Sequence, residues 1–140
     1  MKYLIDTNII LDVLLDREPY YDNSAEVLNL SGKKEITLYV TASSITDIYY
    51  IANQTLRNKE EVKAMLIKLL KIVFVAGVTE EEIRNALALS WKDFEDSVQY
   101  SAALLQGMDG IVTRNPRDYK DAEMKVWSPE GFLRLWQNGS

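Results

Sequence analysis

The chain has 140 residues, with 16 Lys and Arg against 21 Asp and Glu, so its formal net charge is −5. It contains no Cys, which excludes disulfides, thiolate nucleophiles and cysteine-held zinc. It also contains no His, which excludes a Ser-His-Asp triad and His-ligated metals, so any catalysis must use carboxylates, hydroxyls, amides, Lys or Arg.

Short apolar runs alternate with longer amphipathic runs along the chain. In chain order, the predicted elements are a strand over 2–5, helices over 8–15 and 23–30, a strand over 37–41, helices over 45–56 and 60–70, a strand over 72–75, a helix capped by Thr79, a helix over 94–105, strands over 111–113 and 125–127, and a last helix after Ser128-Pro129. This alternation predicts an α/β fold with a central parallel sheet. We expect a single domain over residues 1–140, since no linker or repeat interrupts the pattern.

No targeting or membrane segment is predicted. The apolar start Tyr3-Leu4-Ile5 is interrupted by Asp6, too soon for a signal peptide. The longest apolar run, residues 72–78, is far shorter than the ~20 residues that span a bilayer. Together with the lack of Cys, these features predict a cytoplasmic protein that makes no use of a membrane.

Four aspartates fall where predicted strands end or the following helices begin. Asp6 follows the first strand, Asp47 lies at the start of the helix after the second strand, Asp96 lies in the first turn of the sixth helix, and Asp118 follows the fourth strand. The carboxyl ends of parallel strands share one edge, which is where open α/β sheets bind ligands. We therefore expect these four side chains to lie close together.

Each of these acids also has a purely structural interpretation. Asp6 could cap the following helix, Asp47 and Asp96 could belong to capping boxes, and Asp118 could favour a turn. These interpretations leave the shared edge unexplained, and carboxylates crowded together would destabilise the fold without a counterion. The pattern therefore favours Mg²⁺ or Mn²⁺, which prefer oxygen ligands and can promote phosphodiester cleavage without His.

Several motifs resemble those of one known family. The segment Tyr3–Asp12 resembles the opening strand and first acid of the PIN-domain family, and residues 15–20 resemble the adjoining segment in one bacterial branch. Residues 93–99 and 111–119 resemble the third and fourth acidic motifs of the family, in order and over essentially the whole chain. The resemblance implies a three-layer α/β/α sandwich with a central parallel sheet and metal-dependent ribonuclease activity. Many bacterial members of the family are VapC-type toxins of toxin–antitoxin pairs.

The resemblance also implies roles for individual residues. Asp6 matches the first metal ligand, Asp96 the third and Asp118 the fourth. Asp47 stands at the second acid, where the family usually has Glu, and its side chain is one methylene shorter. The polar residues implied to support these ligands are Thr7, Asn8, Asp93, Thr113 and Asn115. Asp93 and Glu95 are further acids beside Asp96 that could contribute through water.

The leading hypothesis is a metal-dependent endoribonuclease in which the four aspartates hold Mg²⁺ or Mn²⁺. Arg114 and Arg117, beside the fourth acid, are candidate contacts to RNA phosphates. The implied partners are an RNA substrate, a cognate antitoxin protein and a second copy of the chain in a homodimer. A second hypothesis is an inactive PIN module that binds RNA or a protein, suggested by Asp47 and by the modest basic content. A third is a receiver-like phospho-acceptor domain, which also gathers acids at a sheet edge.

Overall fold

Residues 1–138 of the chain are described by a computed structural model as helices packed around one sheet. In chain order the elements are β1 (Lys2–Ile5), α1 (Thr7–Leu14), α2 (Tyr21–Asn29), β2 (Thr37–Thr41), α3 (Ala42–Leu56), α4 (Lys59–Leu69), β3 (Phe74–Ala76), α5 (Glu80–Ala88), α6 (Phe94–Leu105), β4 (Gly110–Val112), a 3-10 helix (Pro116–Tyr119), β5 (Lys125–Trp127) and α7 (Pro129–Asn138). Within this described part, no helix is long and apolar enough to cross a bilayer.

The sheet is parallel throughout, which confirms the predicted fold class. Its strand order is β3-β2-β1-β4-β5, and every neighbouring pair runs in the same direction. The strands β2 and β3 lie on one side of β1, and the chain then crosses back so that β4 and β5 lie on the other side. The boundary between β1 and β4 is therefore the topological switch point, where loops diverge and leave a crevice at the carboxyl ends of the strands.

Helices cover both faces of the sheet, because successive side chains of a strand point in opposite directions. On β1, Tyr3 and Ile5 belong to a core that also includes residues of α1, α2 and α7. Leu4, between them, belongs to a second core with Tyr100 and Ala103 of α6. All three β1 side chains are fully buried, so β1 is the central strand of a three-layer α/β/α arrangement.

The third strand begins later than its apolar pattern predicts. The pattern predicts a strand over 72–75, but β3 begins at Phe74. The backbone N–H groups of Ile72 and Val73 both donate to the carbonyl oxygen of Leu69, at 2.9 and 3.0 Å. These two residues therefore belong to the turn that ends α4, although their side chains are as apolar as those of a buried strand.

The third helix begins earlier than predicted, and this changes the interpretation of Asp47. The helix starts at Ala42, and its N-cap is Thr41, whose Oγ1 accepts from the Ser44 backbone N–H at 3.2 Å. Ser44 is therefore inside the helix rather than its cap, so the capping-box interpretation of Ser44 and Asp47 is wrong. Asp47 lies in the second turn, where a carboxylate is not needed for capping.

Candidate active site

Asp6 lies at the switch point, directly after β1. It is the N-cap of α1, but its side chain makes no capping hydrogen bond. Instead, Oδ2 accepts from the Thr113 hydroxyl at 2.7 Å, and Oδ1 accepts from the Gln99 amide at 3.1 Å. The residue is only 7% exposed. Donors from the end of β4 and from α6 therefore fix the orientation of this carboxylate, and the capping interpretation does not hold.

Asp96 occupies the first turn of α6 and belongs to the same cluster of charges as Asp6. The helix is capped by Asp93, whose Oδ1 accepts from the Asp96 backbone N–H at 3.0 Å. The carboxylate of Asp96 is thus left for other contacts, and its Oδ1 accepts from the Tyr119 hydroxyl at 3.1 Å. Burial, followed by the negative charges of Asp6, Asp93 and Asp118, raises the pKa of Asp96 to about 7.

Asp47 and Glu95 form a second pair of carboxyl groups. Burial and a hydrogen bond with Asp47 raise the pKa of Glu95 to about 7, with the Asp47 and Asp6 charges adding to the shift. The Thr7 hydroxyl lies 2.8 Å from Glu95 Oε1 and favours the ionised form. The contribution through water that the sequence suggests for Glu95 stays a prediction, and the hydrogen bond to Asp47 is a further contact of the same side chain. The two side chains together bring carboxyl oxygens from α3 and α6 to one place.

The other predicted site residues lie around this cluster. Asp118 is exposed on the 3-10 helix, and its charge contributes to the raised pKa of Asp96. Asn115 is exposed, and its backbone N–H donates to Thr113 Oγ1 at 3.1 Å, which holds the hydroxyl that contacts Asp6. Asn8 is half-buried in the first turn of α1.

The two candidate phosphate-binding arginines lie in different surroundings. Arg114 is paired with Asp12 rather than with one of the four predicted ligands: its Nε lies 3.1 Å from Oδ2 of the buried Asp12, and its guanidinium lies 3.9 Å from the centre of the Tyr20 ring. Arg117 is exposed and lines an open cleft together with Asp96. Other charged residues along that cleft are Lys92, Asp93, Asp118, Lys120 and Asp121. Both arginines also line a neighbouring cleft with Asp118, but the charge of Arg114 is balanced by Asp12, so a negatively charged ligand would meet Arg117 as the less compensated of the two.

Sequence reasoning gave no role to Gln99 and Tyr119, which connect the two best-placed acids. Gln99 is fully buried and Tyr119 is 2% exposed. Burial, then the charges of Asp6 and Asp96, raises the pKa of the Tyr119 hydroxyl, so this group stays protonated and can donate. One signal was available in the sequence. Gln99 is three residues after Asp96, which places a polar side chain on the same helical face as the acid.

The carboxyl oxygens of the candidate site are the type of ligand that a hard divalent cation prefers, although they do not surround one common position. Within residues 1–138, no three acidic side chains stand close enough to enclose a metal ion together. The carboxyl groups of Glu95 and Asp96 nevertheless both have a pKa of about 7, in part because neighbouring carboxylates repel their charge. Oxygen ligands under mutual repulsion are the type that Mg²⁺ and Mn²⁺ bind and neutralise.

Comparisons with known proteins agree with this architecture. A family profile described as PIN domain matches residues 2–117, and no curated protein sequence gives a significant match. VapBC-1 from nontypeable Haemophilus influenzae is 17% identical, with 93% of this chain and 99% of that chain covered and a TM-score of 0.71. A toxin–antitoxin complex from Klebsiella pneumoniae is also 17% identical, with 91% and 97% covered and a TM-score of 0.70. Mycobacterium tuberculosis VapC20, described as a sarcin–ricin loop cleaving toxin, is 15% identical, with 78% and 86% covered and a TM-score of 0.61. At these identities the structural similarity establishes the fold.

Proposed function

The chain belongs to the PIN-domain family, and from that premise we propose that it is a metal-dependent endoribonuclease. The observation that carries the proposal is the crowding of carboxyl groups at the switch point of the sheet. The charge of Asp6 helps to raise the pKa of both Glu95 and Asp96 there, to about 7 in each case. Such a cluster costs stability in the absence of a cation, so we infer that its purpose is to bind one.

Asp6 and Asp96 are the proposed principal ligands for Mg²⁺ or Mn²⁺. Asp47, Glu95 and Asp118 would complete the set of oxygen donors. When bound, the cation would supply Lewis-acid activation of a water molecule and of the phosphodiester. The two carboxyl groups with a pKa of about 7 must be deprotonated to take part as ligands.

The remaining steps belong to side chains of the protein itself. Thr113 and Gln99 donate to Asp6 and hold its carboxylate in one orientation. Arg117, in the cleft that includes Asp96, would bind a phosphate of the RNA backbone. This arrangement offers RNA a local positive group although the chain carries a net charge of −5.

The biological setting that we propose is a toxin–antitoxin pair. The Klebsiella pneumoniae structure is described as a toxin–antitoxin complex, the Haemophilus influenzae structure as VapBC-1, and VapC20 as a sarcin–ricin loop cleaving toxin. By this analogy the chain would act in the cytoplasm, form a homodimer and be inhibited by a cognate antitoxin protein. The ribonuclease activity and the toxin role are separate parts of the proposal, because a PIN nuclease can act without an antitoxin.

Incubation of the purified protein with single-stranded RNA tests the proposed activity. We expect cleavage products with Mg²⁺ or Mn²⁺ and none after chelation by EDTA, because the carboxylates need the cation to act on a phosphodiester. A matched reaction with Asp6→Asn identifies the site and excludes a contaminating nuclease. RNA that is bound but remains intact with either metal would instead support the inactive binding module.

A further inference from the structure

A continuous hydrogen-bonded link joins Asp6 to Asp96 through two buried side chains. Gln99 Nε2 lies 3.1 Å from Asp6 Oδ1 and 2.9 Å from the Tyr119 hydroxyl oxygen. The Tyr119 hydroxyl in turn lies 3.1 Å from Asp96 Oδ1. The link therefore runs from the end of β1, through α6, to the 3-10 helix and back to the first turn of α6.

The direction of donation along this link is fixed by the chemistry of its members. The side-chain NH₂ group of Gln99 can only donate, so Tyr119 must accept from it. The Tyr119 hydrogen is then left for Asp96, whose ionised carboxylate can only accept. The opposite orientation of the Gln99 amide would place its carbonyl oxygen against the Asp6 carboxylate. In the orientation described, Gln99 Oε1 accepts from the Ser44 hydroxyl at 3.3 Å.

We propose that Gln99 and Tyr119 are positioning residues that set the orientation and separation of Asp6 and Asp96 for a divalent cation. The inference rests on the proposed metal-dependent function and adds to it two residues that are not ligands. Both residues are neutral donors, so they stabilise the two carboxylates without neutralising the negative charge that attracts a cation. On Asp96 the link engages Oδ1, which leaves Oδ2 free of it and able to face a metal.

The burial of these polar groups would cost folding free energy without an evident gain if the link served packing alone. A buried polar group without a partner is costly, and apolar side chains of the same shape would fill the space with no such risk. Gln99 is 0% exposed, yet its side-chain donors serve one carboxylate and one hydroxyl rather than the backbone. Both ends of the link are carboxylates of the candidate site, which is the expected arrangement for groups that orient metal ligands.

The chain contains a matched control for Tyr119. Tyr100 is also buried, belongs to the same apolar cluster and uses its hydroxyl as a hydrogen-bond acceptor. Its partner is the Glu123 backbone N–H, at 3.0 Å, outside the carboxylate cluster. Tyr100→Phe and Tyr119→Phe thus remove the same atom from comparable surroundings, and only the second removal breaks the link to Asp96.

The test measures Mn²⁺ affinity by isothermal titration, with circular dichroism and a thermal melt to verify folding. We expect Tyr119→Phe to weaken Mn²⁺ binding by about 10- to 100-fold, the usual effect of losing a partner that orients a metal ligand. Tyr100→Phe should bind Mn²⁺ as the wild type does. In RNA cleavage at saturating Mn²⁺, Tyr119→Phe should lower kcat more than it changes the KM for RNA, since the variant keeps Arg117, the proposed phosphate contact in the cleft.

A second pair of variants tests Gln99, the other member of the link. Gln99→Met removes the amide, and Gln106→Met is its control, because Gln106 donates to the Gly77 carbonyl oxygen at 2.9 Å, away from the site. Wild-type Mn²⁺ affinity in folded Tyr119→Phe would overturn the proposal even if Gln99→Met fails to fold. A wild-type protein that binds no Mn²⁺ would overturn the proposed function and this inference together. The titration of the wild-type protein thus distinguishes a failure of the proposed metal-dependent function from a failure of the positioning role alone.

Discussion

The guanidinium of Arg114 lies against the carboxylate of Asp12, with Nε 3.1 Å from Oδ2. Asp12 is fully buried in α1 and also accepts from the Ser24 hydroxyl of α2 at 3.1 Å. Burial raises the pKa of Asp12, while the charge of Arg114 opposes the shift. Because Arg114 directly follows Thr113, this ion pair connects the first helices to the loop that holds a donor to Asp6.

Removal of Arg114 should destabilise the protein. Arg114→Met leaves a buried carboxylate without its nearest cation, and we expect the free energy of unfolding to fall by about 3 kcal/mol. Urea denaturation measures this loss. The control Arg117→Met, at an exposed position in the adjoining 3-10 helix, should change stability by less than about 0.5 kcal/mol. The double variant Asp12→Leu with Arg114→Met should recover most of the loss, and equal effects of the two single arginine variants would contradict this role.

RNA binding should depend on Arg117 more than on Arg114. Arg117 lines the cleft that includes Asp96, whereas the charge of Arg114 is balanced by Asp12. We expect Arg117→Met to raise the KM for RNA. The slope of the logarithm of the RNA binding constant against the logarithm of the salt concentration should become shallower by about 1, which corresponds to one lost phosphate contact. Arg84→Met is the control, because Arg84 is paired with Glu80 on α5. An Arg117→Met variant with wild-type KM and salt dependence would exclude this phosphate contact.

Glu95 should compensate for the short side chain of Asp47. The two carboxyl groups share a hydrogen bond, so we expect a Glu95 oxygen to serve as the donor that the longer Glu of the family would supply at position 47. We expect Glu95→Ala to weaken Mn²⁺ binding in a calorimetric titration, because an oxygen donor is lost. Adding Asp47→Glu to that variant should restore much of the affinity. No recovery in the folded double variant would mean that the two side chains serve different purposes.

Stability in the absence of metal should fall as the pH rises toward 8. Glu95 and Asp96 have a pKa of about 7 in the folded protein, above their ordinary values. An acid with a raised folded-state pKa stabilises the fold at low pH, and this contribution is lost as the pH rises through the folded-state pKa. We therefore expect the Tm of metal-free protein to decrease from about pH 5.5 to about pH 8.

Two comparisons test whether the carboxyl cluster causes this pH dependence. Saturating Mg²⁺ should raise the Tm most at the higher pH, because metal binding requires the deprotonated carboxylates. Asp96→Asn should make the metal-free Tm less dependent on pH, since it removes one of the two groups. A metal-free Tm that rises over the same interval would be inconsistent with the raised pKa values.

The fold and the approximate place of the site could be predicted from the sequence because both depend on local patterns. Apolar runs predict every strand except β3 to within one residue, and Asp6 and Asp96 follow a strand or open a helix at one edge of the sheet. The contacts of Gln99 could not be predicted in this way, since its partners Asp6 and Tyr119 are 93 and 20 residues distant in the chain. The position of Arg114 suggested a phosphate contact, but a sequence pattern does not reveal which way a loop side chain turns.

The proposed metal-binding role of the carboxylates is tested most directly by comparing RNA cleavage by the wild-type protein and by Asp96→Asn in the presence of Mg²⁺. The substitution preserves the size of the side chain and leaves the Asp93 cap of α6 in place, so the variant should fold. If these carboxylates hold the metal that acts on RNA, Asp96→Asn should lower the cleavage rate by about 1000-fold, equivalent to about 4 kcal/mol of transition-state stabilisation. Unchanged Mg²⁺-dependent cleavage by folded Asp96→Asn would contradict the account.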